Sequence, residues 1–339
     1  MIPVFKPSIR RAELDAVLTC MVNDKIGPEE KHIELSSVIA KYLDIYNGFS
    51  LREYRRAIEI ALKSMQLPTH SEVYISPLAP GVYLDVIEEQ GLIPKWLDCK
   101  KESLALDISQ INNENGDIQK ILIVHTLLGS VPDYSDLDNI QIPIIEDISQ
   151  GLGAGSEQIK CGSYGKATIC SMEHDQIITT GGGAVVAGSN KHAYTQIKQI
   201  TDTLSKDVLL SDMNATMGLE QMKLLNKFKQ YRQGIHTELV KGIQKSSHKQ
   251  IPLDPFGEQS YYSFPVQVQK DVQSVVKYAK KYDIEVVPAF QNSILSRIEI
   301  EDSLPNARDL LRTTLLFPLY PSLSKNNVDH LVKVISTLP

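Results

Sequence analysis

Five polar residues whose side chains are able to do chemistry lie close together in the middle of the chain. They flank short apolar, β-rich runs and are, in chain order, Asp147, Gln150, Ser171, His174 and Gln176. Each also has a purely structural interpretation, because Asp caps helices, Ser closes turns and Gln bonds the backbone. Their spacing therefore marks a candidate site and leaves its chemistry open.

Gln176, like Gln150, carries an amide side chain. An amide nitrogen is neither nucleophilic nor basic, so Gln176 is unable to form an imine or to move a proton during a reaction. His174 lies two residues away and is able to act as an acid or base near neutral pH. A reshaped loop would present His174 to a ligand, whereas a solvated loop histidine is the commoner situation.

A second polar group opens a helix predicted at residues 52–65. The sequence SLRE at residues 50–53 has the spacing of a capping box, in which side chains bond the first N–H groups of a helix. Tyr54 adds bulk at this helix start. Arg55 and Arg56 follow, and they either suit a phosphate or pair with Glu59 along a charged helix face.

Composition indicates an ordinary globular protein. The 339 residues are 42% hydrophobic and 22% charged, enough for two cores. A formal net charge of -6 argues against nucleic acid or an anionic membrane as partner. We find no apolar run of bilayer length, and the four cysteines have no metal-ligand or CxxC spacing, so we expect buried thiols and no metal.

The chain alternates short apolar runs with helical patterns, which predicts an α/β fold. Six runs read as central strands buried on both faces, at residues 73–76, 92–97, 121–125, 142–145, 167–171 and 184–187. A long helix is predicted at about 214–244. The C-terminal part then predicts a strand, a helix, a strand and a closing helix, at residues 263–268, 272–282, 285–288 and 327–338.

Several segments resemble the DegT/StrS family of sugar aminotransferases, which use pyridoxal phosphate (PLP). IVHTLLG at 123–129 is similar to that family's VHLYG, and FPLYP at 317–321 to its LPLYP. The N-terminal IPVFKP, residues 144–186 and residues 210–222 resemble further family segments in the correct order. The resemblance implies fold type I: a large domain, residues 1–225, with a mostly parallel seven-stranded sheet, and a small α+β domain, residues 226–339.

The resemblance also implies roles for the central residues. Asp147 matches the family carboxylate that pairs with the pyridine nitrogen of PLP. Gln150 matches the family residue that lies beside the ring's phenolic oxygen, and Ser171 matches a hydroxyl that helps hold the phosphate. Gln176 stands where the family has its Schiff-base lysine. The cofactor shell of the family is therefore present only in part.

Other departures agree with the missing lysine. Tyr54 and Arg55 stand near the start of a helix where the family has a small-residue phosphate cup, and we expect both side chains to project into that space. Residues 75–81 offer only aliphatic side chains where the family stacks an aromatic ring on the cofactor. Residues 205–209 lack the Asn and Arg that in the family reach the partner subunit's cofactor.

These observations predict a divergent family member without PLP-dependent transamination and with no cofactor, which binds a nucleotide sugar or serves an assembly role in polysaccharide metabolism. The alternative is a PLP- or PMP-dependent aminotransferase or dehydratase acting on a nucleotide-linked keto sugar. For that alternative His174 is the candidate base, since the family's sugar 3-dehydratases replace the lysine with histidine. We expect a cytoplasmic homodimer.

Overall fold

The computed structural model describes residues 1–111, 118–253, 255–269, 271–299 and 304–339. Its strands are β1 (Asn47–Leu51), β2 (Glu72–Ile75), β3 (Ile93–Trp96), β4 (Lys120–His125), β5 (Ile144–Asp147), β6 (Ala167–Ser171), β7 (Ala184–Gly188), β8 (Lys249–Gln250), β9 (Phe264–Gln267), β10 (Val287–Pro288) and β11 (Thr314–Phe317). Its α-helices are α1 (Arg11–Val22), α2 (Lys31–Leu43), α3 (Tyr54–Ser64), α4 (Val82–Glu89), α5 (Tyr134–Leu137), α6 (Lys191–Thr201), α7 (Asp212–Met222), α8 (Leu225–Ile243), α9 (Val272–Lys281), α10 (Pro305–Thr313) and α11 (Lys325–Ile335).

The first seven strands form one sheet in the order β1-β7-β6-β5-β4-β2-β3. The pairs from β3 to β6 are parallel, whereas β7 pairs antiparallel with both β6 and β1. This confirms the predicted mostly parallel seven-stranded sheet. The edge strand β1, which the six apolar runs did not include, completes it.

Helices cover both faces of this sheet, which explains its continuous apolar strands. Along β4, Ile121 and Ile123 pack with α3 and α4 on one face, and Leu122 and Val124 pack with α2 and α7 on the other. Successive strand residues point to opposite faces, so a strand covered on both sides needs apolar residues throughout. The four cysteines are free and buried.

A second sheet, in the order β10-β11-β9-β8, lies in the C-terminal part of the chain. It packs against α8, α9 and α11 around a separate core that includes Phe264 and Phe317. This agrees with the expected small α+β unit, although the boundary between 225 and 226 stays a prediction. The strands β8 and β11 were not predicted.

The long helix predicted at residues 214–244 is two helices, because α7 ends at Met222 and α8 begins at Leu225. The intervening Leu224 leaves helical geometry, with φ -116° and ψ 1°. Neither Gly nor Pro marks the break, so the local sequence gave no signal for it. Within the described residues, no helix combines the length and the apolar character needed to cross a bilayer.

Candidate functional site

Three adjacent parallel strands bring the candidate residues to one edge of the large sheet. His125 ends β4, Asp147 ends β5 beside it in register, and Ser171 ends β6. The carboxyl ends of parallel strands meet at one edge, where open α/β sheets bind their ligands. A cavity of about 360 Å³ opens here, and all three residues line it.

Asp147 is buried at this edge and accepts hydrogen bonds from three donors. Its Oδ2 accepts the hydroxyl of Tyr54 at 2.5 Å and that of Tyr83 at 2.6 Å. Its Oδ1 accepts the backbone N–H of Ser149 at 2.9 Å. Burial, followed by the Asp147 charge, raises the pKa of both phenols well above the usual value, so both remain protonated donors.

The structure separates the two residues expected at the phosphate cup. Tyr54, the first residue of α3, lines the cavity and reaches Asp147. Arg55 instead forms ion pairs with Glu59 at 3.4 Å and with Glu89. The expectation that Arg55 projects into the cleft is corrected, because two carboxylates on the outer surface of α3 and α4 hold it there.

The capping box expected at the start of α3 does not form. Ser50 belongs to β1, and its hydroxyl donates to the carbonyl of His32 at 2.8 Å. Glu53 is the N-cap residue and makes no capping hydrogen bond through its side chain. The predicted side chains therefore do not block the first N–H groups of α3, because β1 extends through Ser50.

Gln176 and its neighbours form another part of the cavity wall. Gln176 donates from Nε2 to Asp175 at 3.2 Å, while its buried Oε1 has no hydrogen-bond partner in the part of the chain that the structure describes. His174 lines the cavity and is exposed. Gln150 accepts the N–H of Leu128 at 2.7 Å through its side-chain oxygen. Gln176, His174 and Gln150 thus share one cavity.

Ser171 and His125 are buried with polar atoms unused. Ser171 is 3% exposed, and its Oγ has no hydrogen-bond partner among the described residues. The same holds for both ring nitrogens of His125, whose Nε2 lies 3.9 Å from Asp147. Burial lowers the pKa of His125 to about 4 against the opposing Asp147 charge, so the ring is neutral at pH 7.

Sequence reasoning assigned no role to His125, Tyr83, Asp175 or Tyr262. His125 had a signal, since it ends a buried apolar run within IVHTLLG. Tyr83 had none, because it lies inside α4 and meets Asp147 only through the fold. The opposite wall of the cavity comes mainly from the C-terminal part, residues 287–293, together with Phe5 and Leu316.

Comparisons with known proteins agree with this architecture. The model of the DegT/DnrJ/EryC1/StrS aminotransferase family matches residues 7–336. The GDP-perosamine synthase of Vibrio cholerae is 19% identical, with 99% of this chain and 98% of that protein covered.

Two solved structures are similar in fold. One is the PMP form of the putative sugar aminotransferase Spr1654 from Streptococcus pneumoniae, with TM-score 0.90, 18% identity and coverage of 99% of this chain and 97% of that one. The other is the E. coli GDP-4-keto-6-deoxy-D-mannose-3-dehydratase with bound hydrated PLP, with TM-score 0.88, 16% identity and 99% coverage of both chains.

The expectation that the chain takes no cofactor is therefore wrong. The matching family is one of aminotransferases, and the two similar structures are a PMP form and a complex with hydrated PLP. Asp147 and Ser171, the residues expected to hold the cofactor's ring nitrogen and phosphate, both line the cavity, and the Ser171 hydroxyl has no hydrogen-bond partner among the described residues.

Fold and family thus rest on separate observations. The seven-stranded sheet and its cleft come from the coordinates, and the match of the family model extends over almost the whole sequence. This chain belongs to the DegT/DnrJ/EryC1/StrS aminotransferase family.

Proposed function

We propose that this protein binds a nucleotide-linked sugar in the cleft and does not transaminate through a lysine Schiff base. The observation that supports this most directly is Gln176, which lines the cavity beside Asp175. No lysine lines this cavity among the described residues. Roles in polysaccharide metabolism and a cytoplasmic location stay predictions.

Gln176 prevents the covalent step in a simple way. Transamination needs an amine that joins the cofactor and then moves a proton at the reacting carbon. The Gln176 amide does neither, and a positioned acid or base is worth about 10²- to 10⁴-fold in rate. A PLP or PMP molecule in this cleft would be held by hydrogen bonds and charge alone.

Borohydride reduction in the presence of PLP tests the missing Schiff base. We expect no pyridoxyl-lysine peptide from the cleft of the natural protein, whereas Gln176→Lys should acquire one at residue 176. Gln233→Lys, on the exposed face of α8, is the matched control and should remain unlabelled. A pyridoxyl-lysine peptide from the cleft of the natural protein would contradict the proposal.

Ligand binding is tested separately by thermal shift with UDP-glucose, UDP-N-acetylglucosamine and UDP-glucosamine. A ligand that binds only the folded protein stabilises it by about 2.7 kcal/mol at 100 times its Kd. We expect stabilisation by at least one of these compounds. Stabilisation by none of them would remove the nucleotide-sugar part of the proposal.

A second candidate is a PLP- or PMP-dependent enzyme acting on a nucleotide-linked keto sugar. Its support is the pair of histidines that line the cavity, His174 at the surface and His125 buried beside Asp147. The cofactor would supply an electron sink, and a histidine would carry the proton that Gln176 is unable to carry. Turnover of such a sugar with added PMP, lost in His174→Asn or His125→Asn, would favour this candidate.

We also propose that the protein is a homodimer. Helix α1 exposes Leu14, Leu18, Met21 and Val22, whose exposed fractions are 57%, 55%, 52% and 80%. Residues spaced by three and four lie on one helix face, and exposed apolar patches mark interaction sites. A symmetric dimer is the commonest way to cover such a face.

Light scattering should report twice the 37.9 kDa chain mass. Leu18→Glu should shift the protein toward monomer, because it places a charge within the apolar face. Tyr231→Glu, at another exposed apolar position on α8, should leave the dimer intact. A monomeric natural protein would refute the proposal.

A further inference from the structure

We propose that Ser260 and Tyr262 are positioning residues, which orient the Gln150 amide as a hydrogen-bond donor toward a ligand in the cleft. Both belong to the docking segment, residues 258–262, which lies between β8 and β9 in the chain and contacts the large domain. The inference rests on the proposed function, that the cleft binds a ligand, and adds how one of its polar groups is oriented.

Backbone hydrogen bonds hold the docking segment against loops that follow β4 and β5. Glu258 donates its N–H to the carbonyl of Gly155 at 2.8 Å and accepts the N–H of Gly155 at 3.1 Å. The N–H of Ser260 donates to the carbonyl of Gly129 at 3.1 Å. Ser260 is buried, so this contact fixes the place of its hydroxyl beside the large domain.

The turn at residues 128–129 is shaped to receive this segment. Gly129 has φ +89°, and a Cβ there would lie 2.3 Å from the Oγ of Ser260. Leu128 has φ 54° and ψ 17°, a left-handed conformation that costs a residue with a side chain about 1–2 kcal/mol. Such strain persists only where the surrounding structure holds it. In this turn the N–H of Leu128 donates to Gln150.

Three polar groups of Gln150 are held by the protein. Its Oε1 accepts the N–H of Leu128 at 2.7 Å, and its backbone carbonyl accepts the Ser260 hydroxyl at 2.6 Å. Its side-chain nitrogen donates to the hydroxyl of Tyr262, which donates in turn to Asp175. The partners of an amide distinguish its oxygen from its nitrogen. Because only the oxygen accepts an N–H, the Leu128 contact directs the nitrogen toward Tyr262.

This orientation determines what Gln150 offers to a ligand. An amide nitrogen carries two N–H groups, and Tyr262 takes one of them. Gln150 lines the cavity, so the second N–H is the donor for a ligand. The resemblance puts this residue beside the phenolic oxygen of the cofactor ring, which is a hydrogen-bond acceptor.

Tyr262 is itself fixed from several sides. Nη1 of Arg232 donates to its carbonyl at 2.9 Å, and its ring packs against Phe5 with centroids 5.4 Å apart. A polar group that neighbouring residues already hold in place loses little freedom when a ligand binds, so more of its hydrogen-bond energy contributes to affinity. We therefore expect Tyr262 to act on a ligand through Gln150.

Calorimetry with PMP at pH 7 on the full chain tests this inference. PMP has an amine in place of the aldehyde of PLP and therefore forms no imine with lysines. Gln150→Leu, Tyr262→Phe and Ser260→Ala should each weaken PMP binding by about threefold or more, as expected for one hydrogen bond. Tyr46→Phe, at a half-exposed ring outside the cleft, is the control and should bind PMP like the natural protein.

A double-mutant cycle separates positioning from direct contact, because Tyr262 also lines the cavity. In a protein that already carries Gln150→Leu, Tyr262→Phe and Ser260→Ala should have almost no further effect on PMP affinity. Gln150→Glu, which keeps the shape and removes the amide donor, should give the same result. Circular dichroism of each variant checks that folded proteins are compared.

Two outcomes would overturn the inference. Additive losses for Tyr262→Phe and Ser260→Ala in both Gln150 backgrounds would show that these residues act by direct contact or only on stability. Absence of PMP binding by the natural protein would show that the Gln150 amide serves no such ligand. The nucleotide-sugar proposal is tested independently by the thermal shifts described above, so its failure would be recognised separately.

Discussion

Replacing Tyr54 or Tyr83 by Phe removes one phenol donor from Asp147 and leaves the aromatic ring in place. Both hydroxyls donate to the same buried oxygen, at 2.5 Å and 2.6 Å. A hydrogen bond to a charged group is worth about 1.5–3 kcal/mol net. We therefore expect each single variant to lower the free energy of unfolding by about that amount.

The two changes should not be additive, because both phenols donate to one carboxylate oxygen. Either phenol alone still satisfies Oδ2 of Asp147, whereas their joint removal leaves a buried carboxylate oxygen without a phenol. Removing the partners of a buried charge costs about 3–5 kcal/mol, and residues that share one acceptor are not expected to behave additively. The coupling free energy between the two substitutions therefore reports on the arrangement at Asp147 as directly as the two single losses do.

Urea denaturation followed by the fluorescence of Trp96, the single tryptophan, measures these changes. Trp96 ends β3 of the same sheet. Tyr164→Phe is the control, because its hydroxyl donates to Asp138 at an exposed site and should contribute about 1 kcal/mol or less. Losses below about 0.5 kcal/mol in both Tyr54→Phe and Tyr83→Phe would refute the arrangement at Asp147.

Three further changes have defined expectations. Burial depresses the His125 pKa from 6.5 to about 4, so between these pH values the unfolded chain binds a proton that the folded chain does not. The free energy of unfolding should therefore fall by on the order of 3 kcal/mol as the pH drops through this window. His125→Gln should flatten this part of the pH profile of unfolding. Asp212→Ala should cost about 2–3 kcal/mol in urea denaturation, because its carboxylate accepts backbone N–H groups that lead into α2; a loss under 0.5 kcal/mol would contradict this. Arg232→Met should lower the melting temperature measurably by leaving the buried carbonyls of Tyr261, Tyr262 and Leu319 without their shared donor, whereas an unchanged value would show that these carbonyls find other partners.

Much of the large sheet could be predicted from local pattern. A strand buried on both faces needs a continuous apolar run, and all six runs correspond to strands of the sheet within about two residues. The edge strand β1 and the short β11 escaped because neither stood out as an isolated run. The break between α7 and α8 escaped because Lys223 and Leu224 both suit a helix, so only the surrounding packing determines where it falls.

The family and the residue at the lysine position follow from the chain alone, since both depend on residue identity and order. Identity also predicted that Asp147, Gln150 and Ser171 belong to one site. Residue identity did not predict which donors bond to Asp147. Tyr54 and Tyr83 come from two helices and lie 93 and 64 residues before Asp147 in the chain. The same limit explains the outcome at Ser50. The local motif predicted a helix cap there, whereas long-range pairing with β7 makes Ser50 part of the strand β1. Local sequence determines propensity and pattern, whereas the partners of each polar group depend on contacts that only the folded sheet creates.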